Sequence, residues 1–187
     1  MDGHFHVLWN LQLKNDVTFT AERESGETAV VKFVSRYGLV AHKVLAVAGM
    51  ALQLHYFLNI NSEDDMTGGY HEGLSHRLYE GPLKMIVMEY IHEKRFKGDL
   101  YPVDVKASIR KAITTLHAEG LVHGDLRPPN VIVSEDHKAL LSDFDWVGKE
   151  DVATYPLALS SQIRWHRDVE ALALLKEHDI GMLEKMF

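Results

Sequence analysis

The chain has 187 residues, 46% of them hydrophobic, with 20 Lys and Arg against 27 Asp and Glu for a net charge of −7. That suits one globular unit or two small lobes and excludes a disordered chain or a broad cationic nucleic-acid face. With no Cys at all, a disulfide framework, thiolate zinc sites and a cysteine nucleophile are excluded too.

The N-terminus "MDGHFHVLWN" has no basic stretch leading into a long apolar one, so no signal peptide is expected. No apolar run approaches the roughly 20 residues of a membrane span. The expectation is a soluble intracellular protein, cytoplasmic in a reducing compartment, without membrane or nucleic-acid partners.

Residues 17 to 34, "VTFTAERESGETAVVKFV", read as two strands about "ESGE", where Gly26 suits a tight turn. Residues 38 to 51 place apolar residues at helical spacing, with Gly49 as a stop. Residues 51 to 60 are strand-like, and 61 to 73, acidic and Gly-rich, form a loop. A buried strand is expected over 83 to 91 and a linker over 92 to 101. A helix over 103 to 118 has Val105, Ile109, Ile113 and Leu116 on one face. Two short strands, "VIV" and "ALL", flank the polar turn "SEDHK". Strands with one helix, a linker, then a mainly helical part carrying a hairpin make an α+β pattern with two lobes. The boundaries fall at 1–91, 92–101 and 102–187.

The densest chemistry lies in "HGDLRPPN", residues 123 to 130. Asp125 and Asn130 are five apart, with two prolines stiffening the turn between them. Asp143, in "SDFDW", follows Asn130 by thirteen residues across the hairpin. A hairpin folds its ends together, so Asn130 and Asp143 can converge. Two oxygen ligands, completed by phosphate and water oxygens, suit Mg²⁺. Asp125 then lies beside the metal, where a base for an attacking hydroxyl is needed. Arg127 can offset charge on a transferred phosphoryl group. Upstream, "AVVKF" sets Lys32 in an apolar strand. A Lys is rarely buried alone, and a phosphate is a suitable partner; an edge-strand lysine reaching solvent is the plain alternative.

In order, "AVVKF", "VMEYI", "HGDLRPPN" and "SDFDW" resemble the protein-kinase-like superfamily over most of the chain from Lys32 onward. "HGD" resembles the aminoglycoside and choline phosphotransferase branch, and "DLRPPN" the serine/threonine kinase loop. "KEHDIGML" resembles small kinase-like proteins known largely from fungi. The resemblance implies a bilobal protein-kinase-like fold with a reduced C-lobe, binding ATP and Mg²⁺. By it, Lys32 would hold the α/β-phosphates, and Met88, Glu89, Tyr90 and Ile91 would line the adenine. Asp125 would be the base, Asn130 and Asp143 the metal ligands, and Asp179 a brace behind the catalytic loop. From its position alone, Asp179 reads equally as a surface residue of a C-terminal helix.

The pattern departs from that family in several places. No "GxGxxG" precedes Lys32, and no Asp or Glu occurs between Lys32 and Glu63. His42 and Gln53 are the remaining polar candidates to position Lys32. Gly124 stands where regulated kinases place an arginine that reads loop phosphorylation, and Asp145 stands where "DFG" has glycine. No "APE" follows in the 42 residues after Asp145.

Three look-alikes are set aside. "HRD" at 166 to 168 has Ala173, not Asn, five residues on, and reads as a surface segment. "HEGLSH" at 71 to 76 spaces its histidines wrongly for a zinc helix. Glu63, Asp64 and Asp65 read as a solvated loop. Two functions follow: an ATP- and Mg-dependent phosphotransferase acting on a protein Ser/Thr or small-molecule hydroxyl, or a pseudokinase that works as a nucleotide-binding or protein-interaction module.

Overall fold

The structure is a computed structural model, described over residues 5–13, 16–23, 26–59, 83–91, 94–95, 103–134, 138–156, 159–166 and 173–187. The expected loop at 61 to 73, with Glu63, Asp64 and Asp65, and the "HEGLSH" look-alike at 71 to 76 lie outside these residues, as does most of the expected linker.

The architecture is mixed α+β, with antiparallel sheets and, among the described residues, three α-helices. Packing divides the chain into two compact units, residues 1–37 with 54–90, and 38–53 with 91–187.

The first unit is a five-stranded sheet in the order β1-β2-β3-β5-β4. Its strands are β1 (Phe5–Leu13), β2 (Asp16–Arg23), β3 (Thr28–Val34), β4 (Leu54–Asn59) and β5 (Lys84–Glu89). The turn between β2 and β3 contains Gly26 at φ +83°, as the "ESGE" reading expects. The strand β1 was not anticipated: its alternation "FHVLWNLQL" is a period-2 pattern. Ala21, Ala29, Val31 and Val87 form a buried cluster, with Phe19 and Phe33 meeting edge to face at 6.1 Å.

The second unit holds α1 (Leu39–Val47), β6 (Lys94–Arg95), α2 (Val103–Ala118), β7 (Leu121–Val122), β8 (Val131–Val133), β9 (Ala139–Leu141), β10 (Gly148–Lys149) and α3 (Lys176–Lys185). α2 matches the expected helix at both ends, and its stripe of Val105, Ile109, Ile113 and Leu116 is buried. Burying such side chains contributes about 1.5–3 kcal/mol each. The chain leaves α2 through Gly120 at φ +67°, the left-handed geometry that glycine adopts at helix ends.

Chain order groups α1 with the strands, but it packs within the second unit, against α2 and the Asp143–Asp145 (DFD) element of "SDFDW". Gly38 donates its N–H to Phe144 O at 2.8 Å, and the His42 ring stacks on Phe144 with centroids 4.7 Å and planes 9° apart. A Cβ on Gly38 would come within 2.6 Å of Val147 Cβ, so the close approach needs glycine. Within the expected linker, Lys94 and Arg95 extend the hairpin as β6 beside β8.

Candidate active site

The catalytic-loop candidates lie between β7 and β8. Pro128 and Pro129 open a single 3-10 turn that ends at Asn130. Proline suits that place because its fixed φ is helical and its missing N–H is not needed there. The next residues, β8, pair with β9 in the register Val131↔Leu141, Ile132↔Leu140 and Val133↔Ala139. One step beyond, Ser142 N–H donates to Asn130 O at 3.0 Å. The hairpin therefore carries Asp143 back to Asn130.

Asp125 is 3% exposed and Asn130 is 4% exposed. Asn130 Nδ2 donates to Asp125 O at 2.7 Å and to Asp125 Oδ2 at 2.8 Å. With the nitrogen so used, Oδ1 is the atom by which Asn130 can ligate a cation. Arg127 Nε lies 2.8 Å from Asp125 Oδ1, a close ion pair although the N–H is not aimed at the oxygen. Burial pushes the Asp125 carboxyl above its ordinary range, while Arg127 and Asn130 hold it back. Asp143 adopts φ +60°. A non-glycine residue held left-handed costs on the order of 1–3 kcal/mol and is typical of functional sites.

Three residues that support the loop were not singled out from the sequence for that role. The first, His123, is fully buried and bonds Ser142 O through Nε2 at 3.1 Å. Its Nδ1 receives the Asp125 N–H at 3.4 Å. In this arrangement Nε2 acts as the donor and Nδ1 as the acceptor. Phe144 touches the rings of both His42 and His123. Finally, His117, in the last turn of α2, donates to Asp179 Oδ2 at 3.0 Å.

Asp179 is 1% exposed, which overturns the surface reading. Its Oδ2 accepts the His123 N–H at 2.8 Å and its Oδ1 the Gly124 N–H at 2.9 Å. Gly124 itself adopts φ +78°, and a Cβ there would meet Leu174 Cδ2 at 2.6 Å. The space beside the loop is filled by a buried leucine.

Of the other sequence candidates, Lys32 is buried in β3 at 8% exposure, opposite Thr18 and Ile86. Met88 and Glu89 end β5, and Tyr90 and Ile91 follow it. His42 Nε2 donates to Leu52 O at 2.8 Å, and Gln53 Nε2 to Ala46 O at 2.9 Å. His166 is not a bare surface residue: it packs onto Gly181 and lies 5.3 Å from the His178 ring. Asp168 falls outside the described residues. Among those described, no group of three or more His, Cys, Asp or Glu could hold a metal ion, and no helix is long and apolar enough to cross a membrane.

A loop of this composition, braced from behind and tied to a hairpin that returns an aspartate to its asparagine, fits the resemblance to the protein-kinase-like superfamily. The chain matches no protein-family model. It is similar to several curated serine/threonine protein kinases over part of its length. It is 33% identical to "Protein kinase PINOID 2" of Arabidopsis thaliana over 98 residues, 44% of this chain and 18% of that protein. It is 31% identical to "Serine/threonine-protein kinase PknL" of Mycobacterium tuberculosis over 120 residues, 62% of this chain and 27% of that protein. An "Aurora kinase" of Candida albicans is 37% identical over 59 residues, 30% of this chain and 11% of that kinase. The chain thus spans about a quarter or less of the length of these relatives. These partial matches are all to serine/threonine protein kinases and support a place in the protein-kinase-like superfamily.

Proposed function

We propose that the chain transfers the γ-phosphoryl group of ATP, with Mg²⁺, to a hydroxyl of a protein serine or threonine or of a small molecule. The observation that carries this reading is the Asp125–Asn130 arrangement. A buried carboxylate with a raised pKa suits a base, and an asparagine locked with its nitrogen toward that base presents oxygen to a cation. Asn130 and Asp143 would hold Mg²⁺, which supplies charge neutralisation at the phosphates. Lys32 would hold the α/β-phosphates, and Met88 to Ile91 would lie against the adenine. In the transfer, the acceptor oxygen bonds to the γ-phosphorus, the bond to the β–γ bridging oxygen breaks, and ADP leaves. The acceptor proton passes to Asp125, and Arg127 offsets the charge that develops.

A second reading, a pseudokinase acting as a nucleotide-binding or interaction module, is favoured by two features. No glycine-rich loop precedes Lys32, and α1 carries no acid to pair with it.

The test is a thermal melt with ATP, with and without Mg²⁺, on the chain and on Asp143→Ala. Ligand at a hundredfold excess over its dissociation constant adds about 2.7 kcal/mol, which moves the midpoint by several degrees. The expected result is a Mg-dependent rise that the variant loses. No rise in either protein at millimolar ATP would overturn the nucleotide reading.

A further inference from the structure

We propose that the acceptor is a peptide segment carrying an acidic residue and an apolar residue within about three positions of the target hydroxyl. This rests on the phosphotransferase reading above and narrows its substrate. A concavity of about 440 Å³ lies against the catalytic loop, lined by Arg127, Pro128, Pro129, Ile163, Arg164, Met182, Lys185 and Met186. Its wall combines five apolar side chains with three cations, and no acidic side chain is among the described lining residues. The chain as a whole has a net charge of −7, so the concavity locally inverts the sign of the protein.

Arg127 links this concavity to the chemistry. It lines the wall and also sits 2.8 Å from Asp125 Oδ1. An acceptor presenting its hydroxyl to Asp125 therefore passes its flanking residues over Pro128 and Pro129 toward Arg164. An extended peptide advances about 3.3 Å per residue, so three positions on either side of the hydroxyl reach about 10 Å along the wall. Lys185 holds the far rim by donating to the carbonyl groups of Arg164 and Trp165. Arg164 itself is exposed and available to a carboxylate. The apolar wall of Met182, Met186 and Ile163 suits an aliphatic or aromatic side chain, methionines adapting readily to shape. The same cations repel a polyamine alcohol such as an aminoglycoside or a choline head. The charge of the wall thus separates two acceptor classes that "HGD" and "DLRPPN" leave open.

The experiment measures phosphoryl transfer from labelled Mg-ATP to serine peptides that differ only in one flanking residue, Glu, Gln or Lys, scanned over three positions on either side. At the best position the wild-type chain is expected to use Glu over Gln by about fivefold for each exposed charge pair formed. Arg164→Glu is expected to reverse the order, so that the Lys peptide gains what the Glu peptide loses. Equal use of Glu and Gln at every position by the wild-type chain would overturn the inference and leave the phosphotransferase reading standing. Transfer to none of the peptides, with ATP still hydrolysed in a Mg-dependent way, would overturn the peptide acceptor. Absence of both activities would sink the phosphotransferase reading as well.

Discussion

Asn130 gives its one amide nitrogen twice to Asp125, once to the backbone carbonyl at 2.7 Å and once to carboxylate Oδ2 at 2.8 Å. The pair is five residues apart, and the two prolines between them make the turn that closes the distance. The result fixes two orientations together. Asp125 presents Oδ1 toward Arg127, and Asn130 presents its oxygen away from the base. Neither side chain can rotate without breaking a buried hydrogen bond, a loss of about 1–3 kcal/mol.

Substituting Asp125 by Asn is expected to lower the transfer rate by about 10²–10⁴-fold, the usual contribution of a general base, while nucleotide binding by thermal shift stays. The wild-type rate should fall as pH drops through the folded pKa of Asp125. Because burial raises that value above the ordinary 3.8, the acid limb should lie above the range of a free aspartate. A pH–rate profile for kcat/KM checks this, and a limb at or below the ordinary carboxylate range would remove Asp125 from the role.

Asp179 ties α3 to the loop through two buried N–H bonds. Replacing it with Ala leaves both donors without an acceptor and deprives His117 of its partner. Each orphaned buried donor costs about 1–3 kcal/mol, so a loss of about 3 kcal/mol or more is expected in urea unfolding. Asp179→Asn keeps one acceptor and should fall between. Equal stability of all three proteins would show that the brace contributes nothing.

Gly124→Arg restores the residue found in regulated kinases, yet here it should be harmful. The left-handed φ costs a side chain about 1–2 kcal/mol, and the new Cβ drives into Leu174, adding about 1–3 kcal/mol of overpacking. Leu174→Ala alone costs about 2–5 kcal/mol because the leucine is fully buried, and adding Gly124→Arg to it should then cost only the first part. Unfolding midpoints of the two single variants and the double variant separate the terms.

His42 is fully buried, and burial lowers its pKa below the ordinary 6.5, only partly offset by its bond to Leu52 O. The folded state therefore favours the neutral ring. The stability this provides is complete above pH 6.5 and is lost as pH falls toward the folded pKa, because the unfolded chain binds the proton first. Wild type should lose stability as pH falls below about 6.5 relative to His42→Gln. Parallel stability curves for the two proteins in that window would refute the assignment.

Much of the site was legible because its geometry is local. The spacing of Asp125, Asn130 and Asp143 across a hairpin is short-range information, and the hairpin folds as its apolar triplets predict. The stripe of α2 was legible for the same reason. What the sequence did not disclose depends on packing between distant segments. His117 and Asp179 are 62 residues apart, and nothing near either announces the pair. The stack of His42 on Phe144 joins α1 to the DFD element across about a hundred residues, while periodicity reported only that α1 has an apolar face. β1 was missed for a different reason: its alternation is interrupted by the consecutive apolar residues Val7, Leu8 and Trp9, where the register shifts.

The tie between Asp179 and the loop has a consequence for the order of synthesis. The His123 and Gly124 N–H groups await an acceptor that is translated more than fifty residues later. At about 5–20 residues per second, the loop emerges from the ribosome seconds before its brace. A nascent chain therefore holds Asp125 and Asn130 without the support that shapes them, and the loop acquires its final form only after residues 176–185 have been released and have docked.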